Sequence, residues 1–530
     1  MRIPTAPRLL VVSAGTAGPL LSSVREAARR SWPDVHVLAE DITPNQATGA
    51  RAGRTLGRLL DQVRPDLVLS THPVVTAGLA WLRRHRGFGL PTASWDPATG
   101  TSGLDRAMRL LATTPPRPGP RRLPASDALF AHIDSPAAPQ HVGTVLVFEP
   151  GPVPTVDRAA AMLASVPGAL GRIVPATATQ PARWLPVPGR AAWENVDAVT
   201  ATELTSPVDE FFSVPLQAEH TVGAARIVTG LADGRSALLV KLHHALGDGM
   251  TVLQSLLSDT DDAGRMPWTN RPAPQLGDGG VPGVSADLRP VLSGLRQLTV
   301  GGKAPATVTD GPLLDARRHH VLARLPGRAV RTAARTHGVG AAEFLLAAFA
   351  QAWHDIDEGA ERFRLMVPWS VRGTDSLRVA GNHTGAVPVD LPVGPMEFGD
   401  RVRLVAATMR AQVDTGVPAA ANFVVRLLGM LPPPLHRAAA RNVYRGKWFN
   451  AIGTVMPGPR REVRWHGAVL SEAYPVLALA PDTGLAWGAL TWGPWITVCV
   501  TATPDTKSLA VPLAETMTDV VTGSVVREST

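Results

Sequence analysis

A histidine pair followed at fixed spacing by Asp-Gly, His243-His244-Ala245-Leu246-Gly247-Asp248-Gly249, constrains this chain more than any other feature. It comes directly after Ser236-Ala-Leu-Leu-Val-Lys-Leu242, which reads as a buried strand with Gly234 just ahead of it. Thr251 to Leu257 beyond it reads as a helix. The histidines therefore fall where a buried strand ends and a helix begins. A histidine's near-neutral pKa lets it take a proton from a hydroxyl at physiological pH. The aspartate can pin the loop or orient an imidazole, and the glycine permits a close approach that side chains forbid. Chance produces such a heptad on the order of a few times per thousand chains of this composition. The plainer reading is two surface histidines beside an ordinary turn. The buried strand and the complete spacing argue against it.

Composition sets the outer bounds. The 530 residues allow two to four domains and a large core, and 45% hydrophobic with 18% charged residues describes a folded chain. The sole cysteine, Cys499, excludes an intrachain disulfide and suits a reducing compartment. No signal peptide is expected, because Met1 to Arg8 leads straight into a strand. No stretch reaches the ~18 uninterrupted apolar residues of a membrane span. The net charge of +8 matters less than its placement: no acidic residue lies between Asp414 and Glu462. Arg426, Arg437, Arg441, Arg445, Lys447, Arg460 and Arg461 fall there, interleaved with Leu427, Leu428, Met430, Leu431 and Leu435. Such a mixture suits either an anionic lipid surface or a core helix with a solvated basic face. No nucleic-acid motif accompanies the charge, so no nucleic-acid partner is expected.

The first hundred residues alternate strand and helix. Strands are predicted at Leu9–Val12, Val35–Leu38, Asp66–Ser70 and Pro91–Trp95. Helices are predicted from Pro19, over Thr55–Val63, and from Pro73 to about Arg86. This is a parallel, doubly wound, Rossmann-like pattern. Gly15 and Gly18 suit a plain strand-to-helix turn, and His72 a capping role. Residues 101–120, rich in Gly, Pro and Arg, read as a linker. From 121 onward strand and helix mix in two halves, 121–300 and 301–530. Between them Asp259 to about Asp310 is dense in Pro, Gly and Asp and reads as a connector. The second half opens with a strand at His319–Leu325 and helices at Gly327–Thr336 and Ala341–Ile356. His319-His320 reads as a surface or strand-edge pair, and no metal constellation is apparent.

The heptad resembles that of the acyl-CoA-dependent acyltransferase superfamily, which includes chloramphenicol acetyltransferases and peptide-synthetase condensation domains. The flanking blocks resemble the bacterial wax ester synthase/diacylglycerol acyltransferase family more specifically. They are Leu123-Pro-Ala-Ser-Asp-Ala-Leu-Phe-Ala-His-Ile-Asp-Ser-Pro136, Gln140-His-Val-Gly143, Val367-Pro-Trp-Ser-Val-Arg372, Gly381-Asn382, Val389-Asp-Leu-Pro392 and Phe449-Asn-Ala-Ile-Gly-Thr-Val-Met-Pro-Gly-Pro459. They run in the family's order from about 121 to 525. Three places depart from the family pattern. Ala342-Glu343 replaces an Asn-Asp pair, Thr454-Val455 replaces Ser-Asn, and no Pro-Leu-Trp segment is recognisable around Leu216–Arg226. Ser13–Gly18 and Arg64–Pro73 resemble the N-terminal half of monogalactosyldiacylglycerol synthase-type glycosyltransferases, with Pro19 where that family carries histidine. The nucleotide-sugar half does not follow.

The resemblance implies an α/β, two-lobed, chloramphenicol acetyltransferase-like fold preceded by a small Rossmann-like parallel domain. Substrates would meet in a channel between the lobes. The implied reaction is acyl transfer from acyl-CoA to an alcohol or diacylglycerol hydroxyl, with acyl-CoA as a substrate and no cofactor or metal. His244 would be the general base and His243 a support of its loop. Asp248 would be structural, through an arginine contact, and Gly249 would keep the thioester's approach clear. Arg372 and Asn382 would line the channel. A cytoplasmic protein is expected, with peripheral attachment at the inner membrane or on lipid bodies as an option. Two other readings stay open: a condensation-type enzyme with a sugar, amine or natural-product acceptor, and a non-catalytic fused lipid-binding protein.

Overall fold

The computed structural model describes residues 8–13, 17–41, 55–56, 59–60, 65, 67–86, 92–99, 103–108, 121–187, 192–261, 275–276, 289–370 and 379–526. The chain divides into two compact units. The first comprises residues 1–122 with 183–186 and 278–280; the second comprises the rest of 123–530.

In the first unit, β1 (Arg8–Ser13), β2 (His36–Asp41), β3 (Leu67–Ser70) and β4 (Thr92–Ser94) form one parallel sheet in the order β2-β1-β3-β4. Helices α1 (Ala17–Ser31) and α2 (Pro73–Arg86) belong to the same unit. Leu9 and Val11 enter one apolar cluster while Leu10 and Val12 enter another, so the central strand is buried on both faces. That is why it reads as an unbroken apolar run rather than an alternation. His72 caps a helix: its Nδ1 accepts from Val74 N at 3.2 Å. Part of the expected linker is corrected. Residues 103–108 are helical, and Leu104, Ala107 and Met108, at helical spacing, are buried with Leu9 and Val24. Gly15, most of the helix expected at Thr55–Val63, and linker residues 109–120 lie outside the described residues.

The second unit holds two six-stranded sheets. Its main elements, in chain order, are α3 (Ala125–Ile133), β5 (His141–Phe148), α4 (Val156–Ser165), β6 (Val196–Thr200), α5 (Thr205–Ser213), β7 (Gly223–Thr229), β8 (Ser236–His243) and α6 (Gly249–Leu257). Then come α7 (Arg289–Val300), β9 (His319–Pro326), α8 (Gly327–Thr336), α9 (Ala341–Ile356), β10 (Arg362–Ser370), β11 (Thr384–Pro392), α10 (Phe398–Asp414), α11 (Val417–Leu428) and α12 (Pro433–Val443). The last are β12 (Ala451–Met456), β13 (Val463–Trp465), β14 (Ala468–Val476), β15 (Leu485–Trp492), β16 (Trp495–Ala502) and α13 (Lys507–Val526).

The first sheet runs β13-β14-β5-β8-β7-β6 and the second β9-β16-β15-β12-β10-β11. β8 is buried along all eight residues because β5 and β7 flank it antiparallel and side chains cover both faces. The core of the second sheet centres on Phe349, Trp353, Phe363 and Trp487, with Phe349 stacked on Trp487 at 5.4 Å. Such rings bury roughly 150–250 Å² each and dominate the local packing energy.

Three findings differ from the sequence reading. β13 and β14, from the second half of the chain, join the first sheet, so the halves cannot be divided cleanly at residue 300. The expected connector contains the helix α7, which approaches α11 so closely that a Cβ on Gly294 would lie 2.5 Å from Gly416 O. His319 and His320 lie on the edge strand β9, as read, but His320 is buried, and both contact the Asp209 carboxylate, at 3.1 and 2.9 Å. Among the described residues no helix is long and apolar enough to cross a membrane.

Candidate active site

The histidine motif is built as a short 3-10 turn, His244–Leu246, between β8 and α6. His243 ends the strand with its ring turned into the protein, where Nδ1 accepts from Ala245 N at 3.0 Å. That bond fixes the tautomer: Nδ1 is the acceptor, so the proton of the neutral ring sits on Nε2. Asp134 Oδ2 lies 3.7 Å from that nitrogen, outside hydrogen-bond reach. His243 is therefore committed to holding the turn.

His244 faces the other way, onto a cavity of about 520 Å³. Its backbone is fixed from two sides. Its N–H donates to Gln140 O at 2.8 Å, and its carbonyl accepts from Asn382 Nδ2 at 2.7 Å. The imidazole stacks on Phe130 with ring centres 3.6 Å apart and planes within 4°. Nδ1 is buried without a hydrogen-bond partner, and the residue lines the cavity. Burial pushes the ring's pKa down to about 4, against the opposing effects of its own carbonyl and Asp248. At neutral pH the ring is uncharged and ready to accept a proton.

Asp248 is a structural clamp. Its Oδ1 caps α6 by accepting from Thr251 N at 3.0 Å, with the Thr251 hydroxyl 3.1 Å away. Oδ2 accepts from His383 N at 3.0 Å, and its own N–H donates to Gly381 O at 3.3 Å. One carboxylate thus ties the motif to residues 381–383 of the chain's second half. Gly381 has φ +124°, a conformation glycine tolerates, and a Cβ there would press on the Asp127 carboxylate at 3.3 Å. Gly249 opens α6 and lines the cavity, and a Cβ on it would lie 2.6 Å from Met456 Sδ. Any side chain there narrows the passage beside the motif.

Asn382 lines the cavity, buried, and also acts as a brace: Asp127 Oδ1 accepts from its N–H at 2.8 Å and from its Nδ2 at 3.0 Å. Arg372 lies outside the described residues. Sequence reasoning missed Asp127, Phe130, Gln140 and Tyr444. The first three sit in the quoted Leu123–Pro136 and Gln140–Gly143 blocks, a signal that could have nominated them. Tyr444 carried no such signal. It packs edge-on to Phe130 at 5.7 Å and lines the cavity, and burial pushes its hydroxyl pKa up. The departing positions Ala342, Thr454 and Val455 line the cavity too. Its remaining walls are mostly apolar, among them Leu146, Met162, Leu253, Leu256 and Trp492.

Two sheet-rich halves, with a buried turn presenting one uncharged imidazole to an apolar cavity, define a protein of the two-lobed acyltransferase class. The comparisons narrow the class. Residues 123–289 match the wax ester synthase/diacylglycerol acyltransferase catalytic domain, and 380–521 match the WS/DGAT C-terminal domain. The chain belongs to the wax ester synthase/diacylglycerol acyltransferase family and is an acyltransferase. It is similar to a probable diacylglycerol O-acyltransferase, tgs1, of Mycobacterium tuberculosis: 24% identical over 322 residues, 56% of this chain and 69% of that one. A putative diacylglycerol O-acyltransferase of the same species is 28% identical over 320 residues, 55% of this chain and 69% of the relative. Among solved structures, the wax ester synthase/diacylglycerol acyltransferase from Marinobacter aquaeolei VT8 shares the fold. Its TM-score is 0.52 at 18% identity, covering 76% of this chain and all of that one. The first condensation domain of the calcium-dependent antibiotic synthetase superposes with TM-score 0.52 at 19% identity, over 76% of this chain and 96% of its own.

Proposed function

We propose that the protein moves a fatty acyl group from an acyl-CoA thioester to the hydroxyl of a long-chain alcohol or diacylglycerol, with His244 as general base. The observation that carries this reading is the His244 imidazole, uncharged, braced on both sides of its backbone, and presented to an apolar cavity. As the acceptor oxygen attacks the thioester carbon, His244 Nε2 takes the hydroxyl proton. The tetrahedral intermediate then collapses, the carbon–sulfur bond breaks, and the departing thiolate recovers the proton from His244. The thioester is already activated, so positioning and exclusion of water are the protein's main tasks. Asn382 and Asp127 keep the His244 carbonyl in place, and Phe130 holds the ring plane. Acyl-CoA is a substrate in this scheme, and no metal or further cofactor takes part. His244→Ala should lower acyl transfer by about 10²–10⁴ with circular dichroism unchanged, whereas His243→Ala keeps measurable turnover. Wild-type turnover by folded His244→Ala would sink the mechanism.

The acceptor is the part most open to variation, because Ala342, Thr454 and Val455 all line the cavity. A sugar, amine or natural-product alcohol is the alternative acceptor that the changes at these positions leave open. Peripheral attachment to a lipid surface belongs to the same reading. Leu427, Met430, Leu431 and Leu435 are exposed at the junction of α11 and α12, beside Arg437 and Arg441. Val425 of the same α11 lines the cavity. A lipid acceptor reaching His244 would pass close to that junction.

A further inference from the structure

The apolar cavity has a direction and an end. Val142, Thr144 and Leu146 alternate along β5 and line it, while Val145 and Val147 pack into the core on the opposite face. On the neighbouring β14, Ala473 pairs with Leu146 and Pro475 with Thr144, and both also line the cavity. From above, α6 contributes Gly249, Leu253, Leu256 and Leu257, the spacing of one helix face. These small and aliphatic residues leave a slot between helix and sheet that begins at the motif.

The next residue on that face of β5 is Phe148. It is fully buried and not part of the lining. Its ring packs against Trp465 at 5.6 Å, and the Trp465 indole N–H donates to Asp259 Oδ2 at 3.0 Å. Asp261 N, just beyond, donates to Arg464 O at 2.9 Å. The segment following α6 and the short strand β13 are therefore latched together across the far end of the slot.

We propose that this slot is a length gauge for one extended saturated hydrocarbon chain of a substrate, with Leu470, the cavity-lining strand partner of Phe148, at its end wall and the Phe148 and Trp465 rings packed behind it. Six residues of strand separate Val142 from Phe148, about 20 Å at roughly 3.4 Å per residue. At roughly 1.3 Å per methylene along an extended chain that length holds at most about 16 carbons, and a few ångströms lost at the walled end lower it towards about 12. The inference rests on the acyltransferase reading. It goes further by naming the residues that set chain length.

The test uses the full chain with two arms. Saturated acyl-CoAs of 6 to 22 carbons are paired with one short alcohol, and alcohols of 6 to 22 carbons are paired with one short acyl-CoA. In one arm turnover should be greatest near 12 to 16 carbons and drop beyond. That arm identifies whether the donor or the acceptor chain is measured. Leu146→Trp projects into existing space two residues before the end wall. It should shift the optimum down by about four carbons, costing roughly tenfold or more for 16 carbons while shorter chains are retained. Phe148→Ala should shift it up. Calorimetric binding of free fatty acids of the same lengths to full-length His244→Ala reads the slot without turnover. A shifted binding profile with no acyl transfer by wild type would sustain the gauge and sink the proposed reaction. Length profiles unchanged by both substitutions, in both arms and in binding, would overturn the gauge.

Discussion

The two adjacent histidines do opposite work because one bond separates them. His243 spends Nδ1 on Ala245 N, whereas His244 has no partner at Nδ1 and lines the cavity. Burial holds His244 near pKa 4, so kcat/KM should be flat from about pH 5.5 to 8 and fall only on approaching pH 4. A profile with its midpoint near 6.5 would mean a solvated ring and a different base. The same shift bears on stability. His132 and His244 are lowered to about 4 and His141 to about 3, each chiefly by burial. The unfolded chain therefore binds more protons as pH falls from 6.5 towards 4. The stability present above pH 6.5 is lost across that window, at up to about 1.4 kcal/mol per pH unit for each histidine. Urea denaturation at pH 7.5 and 5 checks the sign. Asp248→Asn should weaken the fold by about 1–3 kcal/mol, since whichever oxygen becomes NH₂ meets a backbone N–H that needs an acceptor. An unaltered urea midpoint with lost turnover would instead give Asp248 a direct part in the chemistry.

At the scale of elements, legibility followed how local the signal was. β8 and α6 were readable because a fully buried strand is a continuous apolar run and the Asp248 cap marks the next helix. Helices α8 and α9 were readable to the residue, from uninterrupted helix-period sequence. The helix α7 was not, because the Pro- and Gly-rich stretch before it masks a helix whose partner, α11, lies over a hundred residues away. Sheet membership was hidden for the same reason: nothing local in Ala468–Val476 says that it pairs with β5. At the site, the motif and Asn382 were legible, while Tyr444 depended on long-range packing against Phe130. The acid-free segment holds α11, α12 and β12, with Met430 81% exposed between the two helices. Basic residues near an anionic bilayer contribute about 1 kcal/mol each, screened by salt. Flotation should therefore show salt-sensitive binding to anionic vesicles, reduced by Met430→Glu with Arg437→Glu. Equal recovery with neutral and anionic vesicles would return the pair to ordinary solvated helices.

For the whole molecule, the parallel sheet of the first unit and the two mixed sheets of the second are separate solutions to burying a core. Residues 123–289 and 380–521, which carry the family match, lie almost wholly in the second unit. We expect no sugar transfer from UDP-galactose or UDP-glucose by the full chain, a product assay that would detect any such activity of the first unit. The central claim is acyl transfer through His244, and mass spectrometry of products tests it most directly. Purified full-length protein is incubated with palmitoyl-CoA and a panel of long-chain alcohols, diacylglycerols and sugars, beside His244→Ala. The account predicts palmitoyl esters of an alcohol or diacylglycerol with release of free coenzyme A, both lost in the variant. Ester formation that persists undiminished in folded His244→Ala would contradict it.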